Sequence, residues 1–129
     1  MTATDTYIAV DDLIDHYIAM WNEADPAERR ALIAETFAPS ASYLDPMMQA
    51  EGRDSIDAMV AAVQARFPGH RFRRTGKVDQ HNDRLRFQWA LAPGDGEPLV
   101  IGTDFAVLGS DQRLQSVTGF FDLLPAPPA

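Results

Sequence analysis

Three residues of this chain have types and settings suited to proton transfer: Tyr17, Asp45 and Asp104. Asp104 is the one charged residue in VIGTDFAVL (100–108), a strand-like run, and carboxylates are among the side chains least often buried without a partner. Strand alternation puts it on one face with Val100, Gly102 and Ala106. The small residues at 102 and 106 leave room beside it, as a cavity wall would. In an apolar cavity its proton affinity rises, so it stays neutral at pH 7 and donates a hydrogen bond. The structural alternative is a carboxylate bonded to a tyrosine or tryptophan, or paired with Arg86. Asp45 lies between Leu44 and Pro46-Met47-Met48, apolar surroundings in which a carboxylate works as a general base. The two methionines form a flexible apolar ceiling over a substrate. Its alternative is an Asx-type turn before proline. Tyr17 supplies a hydroxyl for an oxyanion, or else is a core tyrosine satisfied by backbone. A base with two donors moves a proton between carbons of a carbonyl compound. Met47, Met48, Met59, Val63, Trp89 and Phe121 are the substrate-binding candidates. His81, in the QHND turn, is a surface residue or a proton shuttle at the pocket mouth.

Other chemistries lack residues. The chain has no cysteine, so thiolate nucleophiles, disulfides and zinc–thiolate sites are ruled out. The three histidines show no metal-ligand spacing and no glycine loop cradles phosphate; we expect no metal and no cofactor. A net charge of −8 argues against nucleic acid, which needs a basic footprint. The basic run HRFRRTGK (70–77) reads as the solvated face of a strand. No run approaches the roughly 20 apolar residues of a membrane span, and the first residues lack a signal-peptide pattern. The expected location is cytoplasmic.

These side chains must be positioned by helices first and strands later. Leu13, Ile14, Tyr17, Ile18 and Trp21 form one stripe at helical spacing within residues 7–23. Asp25-Pro26-Ala27-Glu28 reads as the capped start of a second helix, burying Leu32, Ile33 and Phe37 and ending before Pro39. ASYL (41–44) is a short strand stopped by Asp45-Pro46. A third helix spans about 53–66, with Ile56, Met59, Val60, Val63 and Phe67 inward. Four strand-like runs follow, separated by HND, APGDGE and GSDQ. The last two are apolar on both faces, so both faces should be covered. The fold class is α+β, three helices on a curved, mostly antiparallel sheet, as one domain over 1–124 with a flexible proline-rich tail at 125–129.

This layout, with three stretches in order, resembles the cone-shaped nuclear transport factor 2-like superfamily, and within it the SnoaL-like polyketide cyclases and the ketosteroid isomerases. HYIAMWNEAD sets Tyr17 where the isomerases carry a helix tyrosine before an N-x-G-D-like turn. SYLDPMM sets Asp45 where their general base precedes a proline. DFAVLGSDQRLQSVTGFF sets Asp104 at their second, protonated aspartic acid and Phe121 at a pocket aromatic. The turn glycine and further tyrosines in SIDAMVAAV are absent. The resemblance implies a cone-shaped barrel, a homodimer, and cofactor-free acid–base catalysis on an apolar carbonyl compound such as a steroid or polyketide. Asp45 is then the base, and Tyr17 and Asp104 the donors. Activation of water as in epoxide hydrolases is a variant. A non-catalytic binder of a small hydrophobic ligand, or an interaction module with a vestigial pocket, are the other classes; a shared fold does not decide between them.

Overall fold

The structure, a computed structural model, describes residues 9–125. Helix α1 (Val10–Asn22) buries the expected stripe, with Met20 added to it. In helix α2 (Pro26–Thr36) Pro26 opens the first turn, and the Asp25 carboxylate accepts from the Glu28 N–H at 2.9 Å.

Strand β1 (Phe37–Leu44) follows without a loop, which corrects the expectation that Phe37 ends the helix and the strand begins at 41. Arg53 explains the sharp transition: its guanidinium donates to the carbonyls of Ala34 and Phe37. Phe37 is thereby free to enter the sheet opposite Leu114. Pro39 falls inside β1 where the register shifts between Phe37 and Ser42, a position where the missing N–H costs no ladder bond. A three-residue strand, β2 (Gln49–Glu51), returns beside β1, and α3 (Arg53–Arg66) takes its expected span.

The second half is a meander of β3 (His70–His81), β4 (Arg84–Pro93), β5 (Val100–Leu108) and β6 (Leu114–Leu123). The sheet runs β2-β1-β6-β5-β4-β3, antiparallel except for the parallel pair β1–β6. Thus the chain is the cone-shaped α+β fold, with an open rather than closed sheet. Helix α1 packs on β3, and α3 on β1 and β2, so the helices line one face. Of the tail expected at 125–129, residues 126–129 lie outside the described ones, and Pro125 lies on a cavity wall. As expected for the basic run, Arg71 and Arg73 are exposed while Phe72 points inward.

A buried ion pair ties the helices together. Arg29 donates to Asp57 at 2.6 Å and to the Glu23 carbonyl, and the Gln64 amide donates to the Trp21 and Glu23 carbonyls. These bonds hold the Asn22–Asp25 turn in place without a glycine.

Candidate functional site

Between the helices and the inner face of the sheet lies a cavity of about 270 Å³, lined mainly by apolar and aromatic side chains. Its carboxyl and phenol groups, Asp45, Asp104, Tyr17 and Tyr43, gather at one buried end. Strand β6 explains why. Gly119 pairs with Asp104 of β5 on one side, and on the other side Thr118 pairs with Leu44 at the end of β1, so Asp45 continues alongside Gly119. A Cβ built on Gly119 would lie 2.9 Å from Asp104 Oδ1, 3.2 Å from Asp45 Cβ and 3.4 Å from the Tyr43 hydroxyl. Glycine is what lets two carboxyl groups and a phenol converge there.

Each carboxyl is held by a tyrosine. The Tyr17 hydroxyl donates to Asp104 Oδ2 at 2.7 Å, and Trp89 Nε1 donates to Oδ1 at 3.0 Å. The Tyr43 hydroxyl donates to Asp45 Oδ2 at 2.6 Å, while the Met47 and Met48 N–H groups share Asp45 Oδ1. Both alternatives weighed for Asp104 and Asp45 therefore coexist with a cavity position: the bonds are structural and the groups still line the pocket. Tyr17 is not satisfied by backbone, since its partner is Asp104 itself. Its ring is fixed edge-on by Trp21, Phe37 and Phe87.

Burial sets the electrostatics. It pushes Asp104 up to about 6; the Tyr17 and Trp89 bonds pull the other way, and the nearby Asp45 charge adds to the rise. Burial, then the Asp104 charge, raises both the Tyr17 and Tyr43 hydroxyls well above the ordinary phenol range, which keeps both as donors. A carboxylate offers about four lone-pair sites. Asp104 spends two of them and Asp45 three, so Asp104 has more capacity left to take a proton.

Of the other expected residues, Met47, Met48, Val63, Trp89 and Phe121 line the cavity. Met59 does not. One helical turn before Val63, it is buried in the packed core. His81 does not either: it is exposed at the end of β3 and bonded to the Asn82 side chain. Its partner in β4 is Arg84, five residues from Trp89, roughly 17 Å along a strand. Arg86 pairs with Asp79, not Asp104. The room expected beside Asp104 at Gly102 is filled by the Trp89 indole, whose Cζ2 would lie 2.2 Å from a Cβ there. The sequence reading missed Tyr43, although its place two residues before Asp45 at the end of a strand was a same-face signal. It also missed Trp21, Phe72 and Arg66. Among the described residues, no group of three His, Asp or Glu side chains is placed to hold a metal ion.

Residues 14–114 match the SnoaL-like domain model. The chain belongs to the SnoaL-like family. A crystal structure of a candidate isomerase of this family from Agrobacterium tumefaciens str. C58 is 40% identical, with a TM-score of 0.82 over 86% of this chain and 95% of that one. A candidate SnoaL-like polyketide cyclase from Jannaschia sp. CCS1 has a TM-score of 0.66 at 19% identity, covering 95% and 99% of the two chains. A candidate polyketide cyclase from Sinorhizobium meliloti has a TM-score of 0.65 at 19% identity, covering 84% and 93%. The last two share the nuclear transport factor 2-like fold with this SnoaL-like chain. No curated protein matches it. Among the described residues no helix is long and apolar enough to cross a membrane.

Proposed function

We propose that this SnoaL-like protein binds a small apolar carbonyl compound, with the carbonyl end at the carboxyl cluster, and moves a proton on it without a cofactor. The observation that carries this reading is the pair of tyrosine–aspartate couples meeting at Gly119, at the buried end of an otherwise apolar cavity. Preorganised donors in a site closed to water stabilise developing charge far better than water does. The 40% identical relative described as a candidate isomerase supports the same class of reaction.

The step is an enolisation. Asp104 takes a proton from the carbon next to the carbonyl; the C–H electron pair becomes a C=C bond, and charge moves to oxygen. The Tyr43 hydroxyl, turning from Asp45, holds that oxygen. Asp104 then returns the proton to a different carbon, which gives an isomer; or the enolate carbon closes a ring on a second carbonyl carbon, the C=O electron pair moving to that oxygen, which takes the proton from Asp104. Asp104 suits the proton-carrying role better than the donor role read from its sequence position, because a pKa of about 6 leaves it mainly ionised at pH 7 and close to the working optimum of a general base. Asp45, with three of its sites filled, holds the Met47–Met48 turn and orients Tyr43. The cavity, about 270 Å³, is less than twice the ~150 Å³ that accommodates one benzene ring. It encloses about two fused rings, and anything larger extends through the mouth.

The test is deuterium incorporation into a bicyclic enone in D₂O, followed by NMR. We expect exchange at the carbon next to the carbonyl, reduced at least about 100-fold in Asp104→Asn. Both tryptophans of the chain, Trp21 and Trp89, stand on the cavity wall, so a parallel emission titration with 2-naphthol reads occupancy. Saturable binding with no exchange would reduce the protein to a carrier of small hydrophobic ligands. The absence of binding would leave the pocket vestigial.

A further inference from the structure

The cavity wall carries two carboxyl groups at its buried end and a single cation, Arg66, among the described residues. Arg66 is the last residue of α3 and is exposed, as are Leu124 and Met47, which line the same cavity. Its guanidinium lies over the Phe67 ring, 5.9 Å from the centroid, and Phe67 is itself a wall residue. Other inward or interhelical arginines are committed: Arg29 to Asp57, Arg53 to two carbonyls, Arg74 to Asp15. Among the described residues Arg66 has neither an ion pair nor a hydrogen bond. Arg71, Arg73 and Lys77 of the basic run are likewise without such a partner among the described residues, but of these four cations Arg66 alone lines the cavity. A helix C-terminus favours a cation, but that alone does not place the guanidinium on the wall of an apolar cavity.

We infer that the ligand is an amphipathic acid whose carboxylate sits on Arg66 at the mouth while its apolar body fills the cavity. The inference rests on the reading that the cavity is a ligand site and adds the ligand's charge and orientation. The two ends are electrostatically opposite. Asp45 and Asp104 repel an anionic head from the buried end, and Arg66 attracts it to the rim, so the molecule enters with its uncharged carbonyl first. A guanidinium stays charged at every working pH and binds carboxylate in a two-pronged geometry. The attraction at the rim is therefore independent of the Asp104 titration. Arg66 is here a specificity residue; it takes no part in the proton transfer.

The test uses two probes with one ring system, 2-naphthol and 6-hydroxy-2-naphthoate, titrated by tryptophan emission against the wild type and Arg66→Gln. We expect the carboxylated probe to bind the wild type about tenfold more tightly, as a charge-assisted bond supplies, with the gap narrowing as salt is added. In Arg66→Gln the gap closes and 2-naphthol affinity stays within about twofold, since the substitution is on an exposed helix end. Equal affinities in the wild type, or a preference that survives in Arg66→Gln, would overturn the inference while leaving the cavity a ligand site. If neither probe binds, the inference and the proposed function fall together.

Discussion

Asp104 carries a cost that can be measured apart from any ligand. Its folded-state pKa is raised from 3.8 to about 6, so between those values the folded protein binds a proton that the unfolded chain has released. Stability therefore falls as pH rises through this window and levels off above it. At 1.36 kcal/mol per pKa unit, the loss is on the order of 3 kcal/mol. Asp104→Asn removes the titration. The unfolding free energy of the wild type, relative to that variant, should decline by about this much from pH 4 to 7 in urea titrations. Parallel curves for the two proteins would mean that Asp104 is not held in the protonated form by burial. The acidic residue in an apolar strand was legible in the sequence because a lone carboxylate there demands a partner. Which partner was not legible, since Tyr17 and Trp89 reach it from 87 and 15 residues away.

At the scale of elements, two glycines do opposite work on the same strand pair. Gly102 of β5 makes room for the Trp89 indole: an added methyl would lie 2.2 Å from Cζ2 and 2.9 Å from the Phe120 carbonyl. Gly102→Ala must expel the ring and break its bond to Asp104, and overpacking of this kind costs about 1–3 kcal/mol. Gly119 of β6 instead borders the carboxyl cluster. Gly119→Ala pushes on Asp104 Oδ1 and the Tyr43 hydroxyl, which can shift towards the cavity, and on Asp45 Cβ, which moves only with the end of β1. It should cost less stability and more function. The expected pattern is a larger Tm drop for Gly102→Ala, and a larger loss of 2-naphthol affinity per degree lost for Gly119→Ala. If both lose affinity only in proportion to Tm, Gly119 is merely a packing residue. The strand alternation and turn signals that gave β3 to β6 could not show this, because Gly119 meets Asp45 only through the parallel β1–β6 pair. A parallel contact between the first strand and the last leaves no local mark. The start of β1 was hidden for a similar reason: Phe37 continues a helical stripe, and only the distant Arg53 ends the helix. Tyr43 was within reach, as the same-face neighbour of Asp45. For His81 the surface alternative is the one that holds; a turn histidine says nothing about which end of a long hairpin holds the pocket.

At the scale of the whole molecule, one face of the sheet is accounted for and the other is not. The inner face closes on α1 and α3. On the outer face Phe105 and Phe120 are 40% and 57% exposed, and Leu123 is 45% exposed. Register sets Phe120 opposite Thr103 and Phe105 opposite Thr118, with Leu123 opposite Ile101, so these apolar side chains stand on adjacent strands and form one stripe. Single exposed apolar residues need no explanation, but a contiguous stripe on a regular sheet marks an interaction surface. A second copy is the simplest cover, because a two-fold axis sets the same patch against itself. We expect a homodimer at micromolar concentration by light scattering coupled to size exclusion. Phe105→Lys with Phe120→Lys sets like charges against each other across that axis and should give a monomer. Asp104 and Phe121 point from the same strands to the opposite face, so the monomer should still bind 2-naphthol. A wild-type protein that elutes as a monomer at every concentration would leave this stripe without that role. A double variant that remains dimeric would move the interface elsewhere on the molecule.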